Sequence, residues 1–263
     1  MRIGVLGCGY SCENKLDERL NSWFNLAKEF NLVFSFVSVP FKEYIELNIY
    51  QDNIYTLKKL IEYKDKGFIQ HIYISNTPQT EAEARNEALE PLLEDRCDFI
   101  WLLDLADEYY TEENIRNIIE YINKGGNDFY NWFSIPFRNY IFSGKEYILG
   151  FCPPRIFRVN PVGDLIYKLS SFRWDNDIIY KDPNGLIKDY INLASKKIPE
   201  KLLDNGIKHM TWLHSNGKQK YEYQMKHFGH CGYKWNYETN QLEFNLDYYK
   251  QNNLPIPEIH YDN

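Results

Sequence analysis

Apolar positions along the first half of the chain alternate between two patterns. Short, nearly unbroken apolar runs occur at Arg2 to Gly7, Leu32 to Val39, Phe68 to Ile74 and Phe99 to Leu103, which is how strands buried on both faces of a sheet read. Between them apolar residues recur at helical spacing. Leu16, Leu20, Trp23, Ala27 and Phe30 predict a helix over about 15–29, and Ile54, Leu57, Leu60 and Ile61 predict another over 52–66, stopped by Gly67. A third helix starts near Thr80 and carries Arg85 and Asn86 before Pro91 kinks or ends it; a fourth runs from about Glu112 to Asn123 and stops at Gly125-Gly126. Regular strand–helix alternation predicts an α/β sheet.

From Asp128 the pattern changes to short aromatic strands: Phe129 to Pro136, Asn139 to Phe142, Tyr147 to Leu149 and Arg155 to Val159. After the turn Asp182-Pro183-Asn184-Gly185 the spacing predicts a helix near 186–196, then a strand over 206–213 containing His209, and an irregular tail from Asn252. No Gly/Ser linker separates the two regimes, so 1–126 and 127–263 are expected to be two halves of one domain.

Composition narrows the class. With 263 residues, 44% hydrophobic and 25% charged, the chain can bury one good core. No apolar run approaches the roughly eighteen residues of a membrane span, and no signal peptide precedes the first strand. The five cysteines lack a CxxC pair, which argues against a secreted disulfide framework and for a reducing cytoplasm. A net charge of −7 makes DNA a less favoured partner. The 22 tyrosines, 16 phenylalanines and 6 tryptophans serve the core first, with faces also suited to sugars and bases.

The most pointed chemistry lies in DFIWLLDLADEYYTEEN, residues 98–114, where an apolar strand breaks into Asp104, Asp107 and Glu108. In an open α/β sheet, ligands sit beyond the carboxyl ends of the strands. Carboxylates there suit Mg²⁺ or Mn²⁺, which share their remaining positions with substrate phosphates. The competing reading has Asp104 capping a turn and the other acids favouring the start of a helix capped by Thr111. Arg85 could hold a phosphate or pair with these acids. Lys218 and Lys220, in the glycine-hinged loop 215–220, suit closure over a diphosphate. Arg155 and Arg158 fall on opposite faces of an extended segment, so at most one faces the site; Asp175 and Asp177 share a face, and one could serve as a general base.

Ala84-Arg85-Asn86, followed after a short helical stretch by the apolar strand and its acids, resembles the metal-dependent GT-A type (family 2-like) of nucleotide-sugar glycosyltransferase. The family usually reads Asp-x-Asp; here Leu105 and Ala106 separate Asp104 from Asp107. The resemblance implies a GT-A-like (Rossmann-like) mixed sheet flanked by helices, with a nucleotide-sugar-binding first half and an aromatic-rich acceptor-side second half. It implies a Mn²⁺ or Mg²⁺ ion held among Asp104, Asp107, Glu108 and a late histidine, His209 first and His214 second. Donor contacts would come from Arg85, Asn86, Asp104, Arg155, Lys218 and Lys220, with Ser38 or Glu43 nearest the position where the family reads the base. Asp175 or Asp177 would deprotonate the acceptor hydroxyl while Trp174 stacks on the acceptor sugar, and transfer would invert the anomeric centre. The acceptor could be protein, glycan, lipid-linked sugar or a modified base in DNA.

Three rivals remain: a nucleotidyltransferase, a metal phosphohydrolase, and an inactive nucleotide- or carbohydrate-binding module. A dinucleotide site at Gly7-Cys8-Gly9 is disfavoured, because Cys12 stands where a third small residue belongs and the second strand ends without a ribose-binding acid. Zinc at His227, His230 and Cys231 lacks a fourth ligand at a plausible spacing.

Overall fold

The computed structural model describes residues 1–9, 12–46, 53–124, 130–142, 144–159, 195–203, 206–210, 218, 221–222, 225 and 232–262, with 168–170, 177–181 and 187–189 described as backbone strands. The first half alternates as the pattern predicts: β1 (Ile3–Cys8), α1 (Glu13–Leu26), β2 (Leu32–Ser38), a short α2 (Lys42–Glu46), α3 (Ile54–Asp65), β3 (His71–Ile74), α4 (Glu81–Glu94) and β4 (Phe99–Asp104). A two-residue β5 (Glu108–Tyr109) and α5 (Glu112–Lys124) follow. The aromatic half supplies β6 (Trp132–Ser134), β7 (Phe137–Tyr140), β8 (Glu146–Phe151) and β9 (Pro154–Arg158). Next come β10 (Lys168–Ser170), β11 (Asp177–Lys181), β12 (Ile187–Asp189), β13 (Ser195–Lys197) and β14 (Ile207–His209). The hairpin β15 (Tyr233–Asn236) and β16 (Gln241–Phe244), α6 (Leu246–Gln251) and β17 (His260–Tyr261) complete the order.

Seven strands form the main sheet in the order β13-β6-β9-β4-β1-β2-β3. β1 pairs in parallel with β2 and β4, and β2 with β3, whereas β9 runs antiparallel to both β4 and β6. Helices cover both faces. Leu16, Leu20 and Trp23 of α1 pack with Leu60 of α3 and Ile115 and Ile118 of α5 against Val5, Trp101 and Leu103. Ala84, Ala88 and Leu92 of α4 pack against Leu6, Cys8, Val33, Val37 and Leu102 on the other face. Alternate residues of one strand therefore enter opposite cores, which is why β1 and β4 read as continuous apolar runs.

A second sheet, in the order β17-β8-β7-β14-β5, sits beyond the carboxyl end of β4 and begins with the strand that carries Glu108. The structure departs from the sequence expectation in the following places. The helix predicted near 186–196 is absent from the described residues there: Ile187–Asp189 is strand β12, and Ser195–Lys197 pairs in parallel with β6 at the edge of the main sheet. Tertiary pairing overrides the local spacing, and Lys196 is held 4.9 Å from the Tyr130 ring and 5.1 Å from Tyr121. Of the two alternatives at Pro91, kinking or ending the helix, ending is excluded, since α4 runs on to Glu94. The tail is not wholly irregular, since β17 adds to β8.

Candidate active site

β4 ends level with β1, Asp104 standing opposite Cys8 in the parallel register. The chain then turns sharply. Leu105 N–H donates to the Cys8 carbonyl at 3.2 Å, Asp107 N–H donates to the Asp104 carbonyl at 3.2 Å, and Ala106 N–H donates to Asp104 Oδ1 at 3.3 Å. The side-chain bond to Ala106 N–H makes this an Asx-type turn. Leu105 is fully buried and packs toward the glycines at the end of β1 and just after it: a Cβ on Gly9 would lie 3.1 Å from Leu105 Cδ1, and one on Gly7 only 2.6 Å from the Phe36 ring. Close packing against Phe36 and Leu105 accounts for Gly7-Cys8-Gly9 without a dinucleotide.

The three acids have different surroundings. Asp104 is half-buried, whereas Asp107 and Glu108 are buried. Glu108 accepts from Arg155 Nε at 2.6 Å and from the Tyr110 hydroxyl at 3.0 Å. Burial raises the Glu108 carboxyl above its ordinary value, although Arg155 and Tyr110 pull it down. Glu108 and Arg155, expected at the metal and the donor, are thus bonded to each other. Their contact ties β5 of the second sheet to β9 of the main one. Arg155 also lies 5.5 Å from the Phe137 ring centroid.

Two buried arginines bracket the turn from opposite faces of the sheet. Arg85, from α4, bonds Glu81 through Nε at 2.7 Å, while its buried Nη1 has no hydrogen-bond partner. Burial disfavours its charge, but Cys8, Glu81 and Asp104 more than offset that and hold the guanidinium above its ordinary value. Arg19, from α1, is only 3% exposed, with Nε and Nη1 unpartnered, its Cζ 5.3 Å from the Tyr109 ring and Nη2 3.7 Å from Met210 Sδ. Burial lowers its pKa against the opposing pull of Glu18, Asp107, Tyr109 and Asp104. Sequence reasoning missed Arg19. The readable signal was its place three residues after Leu16 and one before Leu20, a charge on a buried stripe.

His209 pairs in register with Glu108 on one side and Asn139 on the other. Its Nδ1 lies 3.0 Å from Asn139 Oδ1, and its ring centroid is 4.7 Å from Phe151 and 5.6 Å from Phe137. Asn86, next to Arg85, points elsewhere: with Lys42, Thr77, Pro78, Gln79, Glu83 and Glu87 it lines an open cavity of about 480 Å³. Asn86 Oδ1 and Gln79 Oε1 are buried there without partners. Ser38 is buried and accepts from Asn53 Nδ2 at 2.6 Å. Lys218 sits 3.8 Å from Glu222 and 5.0 Å from the Tyr237 ring. Trp174, Asp175, His214, Lys220, His227, His230 and Cys231 lie outside the described residues, and Asp177 is described only as the first residue of β11. The side chain of Glu43 is likewise outside the description.

Among the described residues no three His, Cys, Asp or Glu side chains converge as a metal cage. Asp104 and Asp107 carry hard oxygens of the type divalent cations take. No helix among the described residues is long and apolar enough to cross a membrane.

Solved structures with a related outline include residues 1–349 of TarS from S. aureus, aligned over 60% of this chain and 47% of that one at 18% identity and a TM-score of 0.40. The same TarS chain in complex with UDP aligns with equal coverage and identity and a TM-score of 0.37. A Desulfovibrio desulfuricans G20 protein assigned as a nucleotide-diphospho-sugar transferase aligns over 60% of this chain and 64% of its own, at 15% identity and a TM-score of 0.32. The chain spans about half the length of the TarS structures it matches. No protein-family model and no curated protein matches it. At these scores the alignments carry no argument about the reaction. What the chain itself shows is a mixed sheet flanked by helices, with an acid turn at the carboxyl end of its central strands.

Proposed function

We propose that this chain is a glycosyltransferase that takes a nucleotide-sugar donor, binds its diphosphate at the Asp104 turn with Mn²⁺ or Mg²⁺, and passes the sugar to an acceptor hydroxyl with inversion. The observation that carries the reading is a half-buried carboxylate, Asp104, at the carboxyl end of β4, in whose field stands the buried guanidinium of Arg85, bonded to Glu81 and with its Nη1 lacking a hydrogen-bond partner. A carboxylate suits a cation and a guanidinium suits phosphate oxygens, and a nucleoside diphosphate with its cation presents both. When bound, the cation would neutralise charge growing on the departing diphosphate. Arg85 would orient the phosphates from the α4 side. Asp175 or Asp177 would accept the acceptor proton opposite the leaving group, which is the geometry of direct displacement.

The test is a panel of nucleotide sugars scored for thermal stabilisation and for released product, with and without Mn²⁺. Release of nucleoside diphosphate supports glycosyl transfer, whereas pyrophosphate indicates nucleotidyl transfer. Asp104→Asn should abolish the Mn²⁺-dependent part of nucleotide binding and leave the melting curve of the free protein unchanged. Undiminished Mn²⁺-dependent affinity in that variant would remove Asp104 from the site. Anomeric coupling constants in the product would decide stereochemistry, and retention would sink the assignment of the base.

A further inference from the structure

α1 buries Leu16, Leu20 and Trp23 against the sheet, and Arg19 stands in that stripe at only 3% exposure. A guanidinium this deep normally has its donors filled. Here Nε and Nη1 have no hydrogen-bond partner, and Nη2 faces only the Met210 thioether, a weak acceptor, at 3.7 Å. Its charge is also less compensated than that of Arg85. At Arg85 burial disfavours the charge, but Cys8, Glu81 and Asp104 more than offset it; at Arg19 burial prevails over Glu18, Asp107, Tyr109 and Asp104. An apolar residue in place of Arg19 would leave the free chain more stable. A side chain kept at such a cost beside a candidate site is a candidate for binding.

We propose that Arg19 is an anion-binding residue: it takes phosphate oxygens of a nucleoside diphosphate from the α1 side of the acid turn and gives that ligand an affinity that needs no divalent cation. This role rests on the proposed donor site and adds to it a residue on the face of the sheet opposite Arg85. The guanidinium is placed for it, its Cζ lying 5.3 Å from the ring of Tyr109, two residues beyond Asp107. A phosphate brings both things that Arg19 lacks, negative charge and several acceptor oxygens. A water molecule would fill one donor and leave the charge as it is. Met210, just after β14, is the cover. Its unbranched side chain has three rotatable bonds, so it can turn off the guanidinium without a shift of the strand. Arg19 favours the anion and opposes a cation, so the two parts of a metal–diphosphate ligand report on it with opposite sign.

The experiment is calorimetry on the full chain at fixed ionic strength, in EDTA and then in Mn²⁺, with UDP, GDP, ADP, CDP, dTDP and pyrophosphate as probes. In EDTA the wild type should bind pyrophosphate and at least one of the nucleoside diphosphates. Arg19→Met should weaken that cation-free binding by about tenfold or more. The same variant, without ligand, should melt at or above the wild-type temperature, because an uncompensated buried charge has gone. Arg19→Lys keeps the charge but loses the planar donors, so its affinity should fall between the two; it decides the matter where Arg19→Met does not fold. Undiminished cation-free affinity in a folded variant would overturn the inference. Lower melting with unchanged affinity would make Arg19 a structural residue and count equally against it. Pyrophosphate bound without any nucleoside diphosphate is an adventitious ion only, and also overturns it. A wild type that binds a nucleoside diphosphate in Mn²⁺ but not in EDTA overturns the role of Arg19 and leaves the donor site standing. One that binds no probe under either condition overturns both.

Discussion

At the scale of single residues, the acid motif divides by what each side chain touches. Glu108 is buried with Arg155, so removing Arg155 strands a carboxylate away from water. Arg155→Met should cost about 3–5 kcal/mol at pH 8. The sign of its pH dependence follows from burial, which raises the folded-state carboxyl value of Glu108. Such a group contributes stability fully below its unfolded value, about 4.3, and loses it as pH rises through the folded value. Without Arg155 the folded value rises further, so the penalty should shrink as pH falls from 8 toward 5. Urea unfolding at both pH values checks this, and an equal penalty at each would show that Glu108 is not the group left stranded. Arg19 makes the opposite kind of prediction. Its charge lies in the field of Asp107 and Asp104 and opposes any cation bound there. Arg19→Met keeps the length of the side chain in an apolar helix face, and should tighten Mn²⁺ binding roughly threefold to tenfold. Weaker Mn²⁺ binding in a folded Arg19→Met protein would refute that role.

At the scale of elements, the strands covered on both faces were the legible ones. β1, β2 and β4 are buried throughout apart from Asp104, so their sequences show apolar runs with one carboxylate at the end. The helix starts were less exact, yet α4 shows the full capping box of Thr80 and Glu83, a local chemistry that sequence can carry. Residues 186–196 misled because Leu186, Ile187, Ile191 and Leu193 suit a helix locally, while the strand at Ser195–Lys197 depends on a distant partner, β6. β5 and β17, of two residues each, are too short for any periodicity to reveal. Gly7 belongs to this scale, since its role is strand packing. The new methyl of Gly7→Ala would meet Phe36 Cδ1 at 2.6 Å, and that ring is fully buried in the core that α1, α3 and α5 share with the sheet. The substitution should destabilise the chain by about 1–3 kcal/mol by overpacking. A melting temperature equal to the wild type would mean that β1 packs more loosely against Phe36 than this distance implies.

At the scale of the whole molecule, one long-range tie joins the second sheet to the main one and another braces the second sheet from within. One is the Glu108–Arg155 pair. The other closes the far side: Asp262, just after β17, accepts from Arg138 at 3.1 Å, from the Tyr140 hydroxyl at 2.8 Å and from Lys208 at 2.9 Å. Neither tie was legible, because each joins residues far apart in sequence that carry no shared pattern. The Asp262 tie bears on the site because Lys208 precedes His209 on β14, with its side chain on the opposite face. Burial alone would raise the Asp262 carboxyl, but Lys208, Tyr140 and Arg138 hold it below the ordinary carboxylate value. A depressed carboxyl contributes stability that is present above its unfolded value, about 3.9, and is lost as pH falls through the folded value. Asp262→Asn keeps one acceptor oxygen and removes the charge, so it should cost about 1–2 kcal/mol at pH 7. That gap should narrow between pH 6 and pH 3 as the wild-type carboxyl takes up its proton. Hydrogen exchange should localise the change to β17, β8 and β14, with the β1–β4 core unaltered. A pH-independent gap, or faster exchange spread evenly over both sheets, would show that the charge of Asp262 does not hold this edge.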